Sequence, residues 1–376
     1  MKIVLVSNTA WYLYNFRLPL AKALRNRGDE VVFLSPPTED EDYGHRLINE
    51  GFSWKPFSFS RKGMNPFQDG QTILRLARVY RELKPDLAHH FTIKPVLYGS
   101  IAANLAGIPN TVNSITGLGY IFADSSLKVK IVRQVVKLLY KFGTRHAFTI
   151  FQNPEDRELF NDKGLIPFHR SALIRGSGAD LVKFQLTPMP EGIPIVTLAA
   201  RLIYDKGVVE FVQAAALLKQ RGVKAVFRLV GTPDLDNPNS VRLDEIQKWV
   251  NEGLVEYLGW QEDMASVYQS TTIQCQPSSY REGLPKTLLE AAACGRPLVA
   301  TDIPGCREIV RPGENGFLVP VHNSLELADA LQKLIEDPQL CVKMGIKGRE
   351  IVEHEFSEDI NIKQTISFYQ ELLQAS

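Results

Sequence analysis

The chain reads as an α/β protein made of two doubly wound, Rossmann-like domains, and three observations carry that reading. Apolar runs of strand length alternate with stretches of helix length, once through residues 1–185 and again beyond residue 190. Between the two series lies Gln185–Pro194, whose three prolines and one glycine mark a linker. A length of 376 residues suits two domains of ordinary size.

Taken in order, Lys2–Val6 is an apolar run of strand length, followed by a loop and a helix expected from about Pro19 to Gly28. Glu30–Ser35 and Asp86–His90 are the next expected strands. A helix near Thr72–Leu83 lies between them, after an aromatic, polar stretch through Phe57–Phe67. Ser100–Ala106 and Val129–Phe142 continue the helical pattern. Beyond the linker, strands are expected at Ile195–Ala199, Ala225–Val230, Val255–Leu258, Thr272–Gln276 and Pro297–Ala300. Helices are expected at Val209–Gln220, Leu243–Glu252 and Thr287–Ala293. Open parallel sheets bind ligands beyond the carboxyl ends of their strands, and the two domains are expected to face each other across a cleft. The expected bounds are 1–185 for the first domain and 190–355 for the second, with 356–376 a helix that returns to the first.

The bulk numbers exclude several classes. With 44% hydrophobic and 23% charged residues, the composition is that of a folded globular chain. Cys275, Cys294, Cys306 and Cys341 form no C-x-x-C pair and read as buried thiols of a reducing cytoplasm. The seven histidines show no zinc spacing; His89 and His90 are adjacent, point to opposite faces of a strand, and read as one core and one exposed residue. No metal, cofactor or nucleic-acid partner is expected. No run of 18 apolar residues exists, and the N-terminus lacks the long apolar core of a signal peptide. A cytoplasmic location is the expectation.

Net charge is +1, but residues 1–185 carry 25 Lys/Arg against 16 Asp/Glu, so the first half is basic and the second acidic. That asymmetry fits either an anionic partner of the first half or mutual attraction of the two domains. Leu127–Ala147 carries Lys128, Lys130, Arg133, Lys137, Lys141 and Arg145 without an acid. It reads equally as a helix with a solvated basic face and as a surface for anionic lipid.

The strongest chemical signal is Glu282-Gly-Leu-Pro-Lys-Thr-Leu-Leu-Glu290. Pro285 is suited to the first position of a helix, which leaves Glu282 in the preceding turn and Glu290 inside the helix. Backbone N–H groups of Gly283, Leu284, Lys286 and Thr287 would then face an anion at the helix start. At ~1.5 Å rise per residue the carboxylates lie on the order of 10 Å apart, too far for the acid/base pair of a glycosidase. Two separate clamps beside a diphosphate suit that spacing better. Arg201 and Lys206 follow the first strand of the second domain, on the same sheet edge, and two cations match a diphosphate. Gly231 ends the next strand and leaves room for a base or ribose, while Ser278 and Ser279 offer hydroxyls.

These residues, in register, resemble the family-four retaining glycosyltransferases of the GT-B fold. The resemblance extends through Gly176-Ser-Gly-Ala-Asp180, Phe184, Ala292–Gly295, Pro297, Asp302-Ile-Pro-Gly305-Cys-Arg-Glu308 and Gly313-Glu-Asn-Gly316-Phe-Leu-Val319. It covers nearly the whole chain. Tyr14-Asn15-Phe16-Arg17, Ser60-Arg61, Asn65-Pro66-Phe67 and Thr116-Gly117-Leu118-Gly119 look like a bacterial subgroup that adds N-acetylhexosamine-type sugars to polyprenyl-diphosphate-linked saccharides.

The resemblance implies roles by position. Arg201 and Lys206 would hold the diphosphate of a nucleotide sugar, most simply UDP-linked, and stabilise the leaving group. Glu282 would bind a sugar hydroxyl with the Gly283 and Leu284 amides nearby, Lys286 and Thr287 would contact phosphate, and Glu290 would accept from the ribose. Asn15, Arg17, Lys94, Asn113, Thr116, Gly117 and Gly119 would serve the acceptor side. Relatives often carry a histidine after the strand matching Asn110–Val112, where this chain offers Asn113, Ser114 and Thr116. No role of that histidine carries over. The rivals are a sugar-nucleotide epimerase of the same fold and a non-catalytic nucleotide-sugar-binding module; the chain is too short for a phosphorylase of this fold. A dehydrogenase is disfavoured because Ser7-Asn-Thr-Ala-Trp lacks G-x-G-x-x-G.

Overall fold

The computed structural model describes residues 1–37, 42–59, 66–117 and 137–374, which pack as two compact units. The first comprises Met1–Ser177 with Asn361–Ser376, the second Gly178–Ile360. Each is built on one parallel sheet. The first sheet consists of β1 (Lys2–Val6), β2 (Glu30–Ser35), β3 (Ser53–Pro56), β4 (Leu87–Phe91), β5 (Asn110–Ile115), β6 (Phe148–Phe151) and β7 (Ser171–Leu173). Its strand order is β3-β2-β1-β4-β5-β6-β7. The second consists of β8 (Ile195–Ala199), β9 (Val226–Val230), β10 (Glu256–Tyr257), β11 (Ile273–Gln276), β12 (Leu298–Thr301) and β13 (Gly316–Val319). Its order is β10-β9-β8-β11-β12-β13.

In both sheets the chain first winds outward one way, then returns to the centre and winds the other. The reversal falls between β1 and β4 in the first unit and between β8 and β11 in the second. Loops leaving the two central strands diverge there, which is why ligands of such sheets sit at that point.

Both faces of each sheet are covered, so the strands are apolar throughout rather than alternating. In β1, Val4 and Val6 join a core with Val32, Leu34 and Ala88, whereas Ile3 and Leu5 join another with Val31, Phe33 and Leu87. This overturns the expectation of one exposed histidine: His89 and His90 are 1% and 0% exposed. His89 bonds through Nδ1 to the Tyr369 hydroxyl and through Nε2 to Ser114 Oγ at 2.7 Å. His90 meets Tyr80 at 2.7 Å and Asn113 at 3.0 Å on the other face. Gly99 lets the helix over that face approach, since a methyl there would sit 2.3 Å from the His90 ring.

Several boundaries differ from the sequence expectations for identifiable reasons. The first helix starts at Ala10 rather than near Pro19, because the Thr9 hydroxyl caps it by accepting from Tyr12 N at 3.1 Å. Pro19 sits inside that helix, where burial of Leu13, Leu18, Leu20, Ala21 and Leu24 offsets its missing donor. The Pro66–Leu83 and Ile93–Ala106 helices also begin earlier than expected. Strand β13 and the helices Met264–Gln269 and Pro304–Ile309 carry too short a pattern to be read from periodicity.

The linker also lies differently. Packing divides the chain at Ser177–Gly178, ahead of the proline-rich stretch. Ala179 N donates to Phe356 O, and Glu358 N to Ala179 O, each at 2.9 Å. The proline stretch is then fastened to the second unit by Arg296, itself 0% exposed, which donates to the Pro188 and Thr187 carbonyls at 3.1 and 3.2 Å. Prolines leave carbonyls without neighbouring N–H groups, and a guanidinium with five donors can collect them. Within the first unit, Asn361 donates to Gly176 O at 2.8 Å, and Tyr369 and Leu372 of the last helix, Glu358–Gln374, are buried in its core.

All four cysteines are buried with free thiols. Among the described residues no helix is long and apolar enough to cross a membrane. Residues 127–136 of the basic stretch Leu127–Ala147, with Lys128, Lys130 and Arg133, lie outside the described residues, as do Gly119, Ser60, Arg61 and Asn65.

Burial holds both histidines below their ordinary value of 6.5, His90 at about 4. The unfolded chain binds protons in that window and the native state does not, so stability is complete above pH 6.5 and falls as pH drops below it. Thermal unfolding should shift to lower temperature between pH 7 and pH 5, with net proton uptake on unfolding measurable by calorimetry in buffers of different ionisation enthalpy. A midpoint and proton balance unchanged over that range would contradict the assignment.

Candidate active site

The carboxyl edge of the second sheet gathers three loops around its point of reversal. The loop after β8 carries Arg201 and Lys206, that after β9 begins with Gly231, and that after β11 carries Pro277–Pro285. Gly207, at φ +74°, makes the approach of the first and third possible: a methyl there would lie 2.0 Å from the Pro277 carbonyl oxygen. Only glycine tolerates both that backbone angle and that contact.

The consequence is an ion pair. Lys206 Nζ bonds to Glu282 Oε1, with the two side chains only 13% and 12% exposed. Ser278 Oγ donates to the same carboxylate oxygen at 3.0 Å. The Lys206 ammonium also lies 5.3 Å from the centre of the Tyr280 ring. Burial first, then the Glu282 charge, pushes the Tyr280 hydroxyl up to about 12. The backbone between the partners is tied as well, because Ser279 N and Ser279 Oγ donate to the Asp205 carbonyl at 2.9 and 3.4 Å. The serines expected to offer hydroxyls to a ligand therefore fasten one loop to the other.

Arg201 behaves differently. It is 59% exposed and pairs with Asp234 Oδ2 at 2.8 Å. Such exposed pairs are worth about 0–1 kcal/mol, so this guanidinium can exchange partners at little cost. Gly231, at φ +119°, seats the loop after β9 against the loop after β8; a methyl there would be 1.9 Å from the Ala200 oxygen.

The helix of the glutamate motif runs Lys286–Ala293. Pro285 is its cap rather than its first residue: ψ of 113° leaves it extended, with its carbonyl accepting from Leu288 N and Leu289 N at 3.2 and 3.4 Å. Lys286 and Thr287 thus supply the first amides of the helix, and Thr287 Oγ1 donates to Gln276 at 3.2 Å. One turn on, Glu290 lies 4.0 Å from Lys286 Nζ and is 13% exposed. Burial raises its carboxyl above the ordinary value; Lys286 and Lys183 pull the other way.

A residue whose role the motif alone did not reveal is Gly305, at the start of the Pro304–Ile309 helix. A methyl there would lie 2.4 Å from the Gly283 oxygen and 2.7 Å from the Glu282 oxygen. It buttresses the turn that presents Glu282. Asp234 and Asp205 were likewise unmarked, since single acidic residues in loops carry no periodic signal.

Residues 183–351 match the family described as Glycosyl transferases group 1, and residues 2–153 match Glycosyl transferase 4-like. A Campylobacter jejuni N,N'-diacetylbacillosaminyl-diphospho-undecaprenol alpha-1,3-N-acetylgalactosaminyltransferase is 32% identical over 388 aligned positions, covering 99% of each chain. The chain belongs to the group 1 glycosyltransferases. An Escherichia coli UDP-Gal:alpha-D-GlcNAc-diphosphoundecaprenol alpha-1,3-galactosyltransferase is 25% identical over 78% of this glycosyltransferase and 79% of its own length. In fold, it resembles Anabaena Alr3699/HepE, solved with UDP-glucose, at a TM-score of 0.79 and 20% identity over 99% of this chain and 100% of that one. Sucrose-phosphate synthase from Thermosynechococcus elongatus gives 0.82 at 20% identity, with 100% of both chains covered. The fold is accordingly GT-B.

In the first domain of this glycosyltransferase the expected acceptor residues scatter. Asn113 is 0% exposed and bonded to His90 and Ser100, so it belongs to a buried network and is not a ligand-facing loop residue. Its place on β5, with both faces covered, explains the difference. Asn15 is exposed and donates to Trp11 O at 2.9 Å. Thr116 and Gly117 follow β5, partly buried. Arg17 is buried, and Lys94 lies in the first turn of the Ile93–Ala106 helix.

Gly305→Ala should displace the Glu282 turn and lower kcat/KM by about 10–100-fold, as small misplacements of positioning groups do, while far-ultraviolet circular dichroism stays native. Unchanged kinetics would show that the turn does not depend on this contact. For Glu290 the sign is opposite to that of the histidines. A raised native pKa makes the folded state lose stability as pH rises from about 4.5 through the native value. Glu290→Gln should therefore unfold at the same or a higher temperature at pH 7, an advantage that disappears in acid. A clearly lower melting temperature at pH 7 would refute the desolvation argument.

Proposed function

We propose that this glycosyltransferase moves a hexose or N-acetylhexosamine from a UDP-linked sugar to a polyprenyl-diphosphate-linked saccharide, with retention of anomeric configuration and without a metal. The observation that carries the proposal is the partly buried Lys206–Glu282 pair, set at the sheet reversal beside the start of the Lys286–Ala293 helix. A sugar diphosphate has one group for each: an anion for the ammonium and the helix start, and sugar hydroxyls for the carboxylate.

In this reading Lys206 and Arg201 hold the diphosphate, Arg201 leaving Asp234 to do so. Both offset charge that builds on the departing nucleotide, an electrostatic contribution in place before the reaction begins. The amides of Gly283, Leu284, Lys286 and Thr287 add fixed dipoles, and Gly231 admits the nucleoside. Glu282 accepts from a sugar hydroxyl and positions the anomeric carbon, while Glu290 accepts from the ribose. Support comes from the full-length similarity to the Campylobacter enzyme, whose name gives a diphospho-undecaprenol acceptor, and from a fold shared with a protein solved with UDP-glucose. With a lipid-borne acceptor, the reaction takes place at the cytoplasmic face of a membrane, the protein being peripheral to it.

The deciding experiment offers UDP-, GDP- and ADP-sugars with a polyprenyl-diphosphate saccharide. Labelled lipid product should form from a UDP-sugar, with the donor configuration kept. Product from GDP- or ADP-sugars alone, conversion of the sugar nucleotide without acceptor, or an inverted linkage would each overturn part of the assignment. Glu282→Ala should lower kcat by about 10²–10³, the usual effect of removing one preorganised group. A near-normal rate would take Glu282 out of the site.

A further inference from the structure

The helix that bears Glu290 packs against the Met264–Gln269 helix, and Tyr268 fills the space between them. Tyr268 is 0% exposed and shares a core with Phe184, Leu289, Ala293 and Cys294. Its ring centre lies 6.0 Å from that of Phe184. A buried phenol normally gives its proton to an acceptor, because an unbonded polar group in a core is unfavourable. The Tyr268 hydroxyl is buried and makes no hydrogen bond. A residue that only filled the core would do so better as phenylalanine, which has no donor to leave unused. What the hydroxyl faces is acid. After burial, Glu290 and then Cys294 are the groups that hold the phenol well above its ordinary value. Those two residues stand four apart, on one face of their helix.

Glu290 has the complementary need. Its surroundings are short of solvent, and burial is the main influence on its carboxyl, raising it. Lys286 Nζ stands 4.0 Å away, an ion pair beyond hydrogen-bond length. Lys183, whose ammonium lies 5.4 Å from the centre of the Phe184 ring, acts more weakly. The remaining group that favours the ionised form is the Tyr268 hydroxyl, adjacent to the carboxylate though short of a formed bond. A carboxylate that accepts from two neighbouring hydroxyls of a ribose must be ionised and held in one orientation. The two lysines supply charge, but only a hydrogen-bond donor fixes the orientation.

We propose that Tyr268 is a positioning residue for Glu290, donating to its carboxylate from the core side and so directing the free lone pairs at the ribose of the donor nucleotide. Being fully buried, Tyr268 touches no nucleotide itself and acts only through Glu290. The contact between the two side chains stands on the packing of their helices. The ribose as the object of Glu290 rests on the proposed function.

Two arms separate the contact from its use. In the first, melting temperatures of wild type, Tyr268→Phe, Glu290→Met and the double variant are compared at pH 7 without nucleotide. Loss of the hydroxyl should shift the wild type and the Glu290→Met protein by clearly different amounts; additive shifts would overturn the contact. In the second arm, calorimetry measures binding of UDP and of its 2′,3′-dideoxy analogue. Wild type should prefer UDP by about tenfold or more, as loss of hydrogen bonds to a charged group implies. Tyr268→Phe should lose most of that preference, through weaker UDP binding with the affinity for the analogue unchanged. Its UDP affinity should recover as pH is raised, because without the donor the buried carboxyl stays protonated to higher pH despite Lys286 and Lys183, with Cys294 the other acid beside it. A packing defect would weaken both nucleotides alike and show no recovery. That result, or a full preference retained by Tyr268→Phe, would overturn the inference. If wild type itself fails to distinguish the two nucleotides, or binds neither, the ribose role of Glu290 fails and takes the use of Tyr268 with it, while the first arm still decides the contact.

Discussion

The Lys206–Glu282 pair is the constraint around which the rest of the second domain is arranged. Two charged side chains, each nearly nine-tenths covered, are brought together from loops 76 residues apart. Desolvating both is unfavourable, and their attraction compensates only with further hydrogen bonds and good geometry. Ser278 supplies one such bond, and the Tyr280 ring a face for the ammonium. The two loops meet because Gly207 admits the Pro277 carbonyl, and the Glu282 turn is held because Gly305 admits the Gly283 carbonyl. The carboxylate neutralises the lysine and holds it in place. Arg201 is the opposite case, an exposed cation in a weak pair.

This contrast explains which parts of the site were legible in the sequence. Spacing within Glu282–Glu290 placed one glutamate before a helix and one inside it, because helix periodicity and the proline are local properties. The placement of Arg201 and Lys206 on the same sheet edge followed from the parallel topology, which alternation of strands and helices already implied. The pairing of Lys206 with Glu282, and of Arg201 with Asp234, was not legible. Those contacts depend on how close two loops come, which is set by glycines whose importance only the packing reveals.

The fold shows the same division. Long apolar strands such as β1 and β2 were read correctly because burial on both faces leaves an unbroken signal. The first helix was misjudged because its opening turn is aromatic and its cap lies well ahead of the proline taken as its start. His89 and His90 were assigned to one core and one exposed position from alternation, a rule that suits half-buried strands. In a strand covered on both sides alternation separates two cores instead, and each histidine found its own tyrosine.

The two sheets also differ in how their reversal points are finished. In the second, the cation and the carboxylate are matched beside the start of the Lys286–Ala293 helix. In the first, Arg17 has no carboxylate among the described residues, Thr92 holds an unfavourable angle, and its hydroxyl is unbonded. A folded chain tolerates such features only where the surroundings enforce them. The same arrangement of strands therefore yields two different ends: one whose cation and carboxylate balance each other, and one that holds a cation with no carboxylate partner among the described residues.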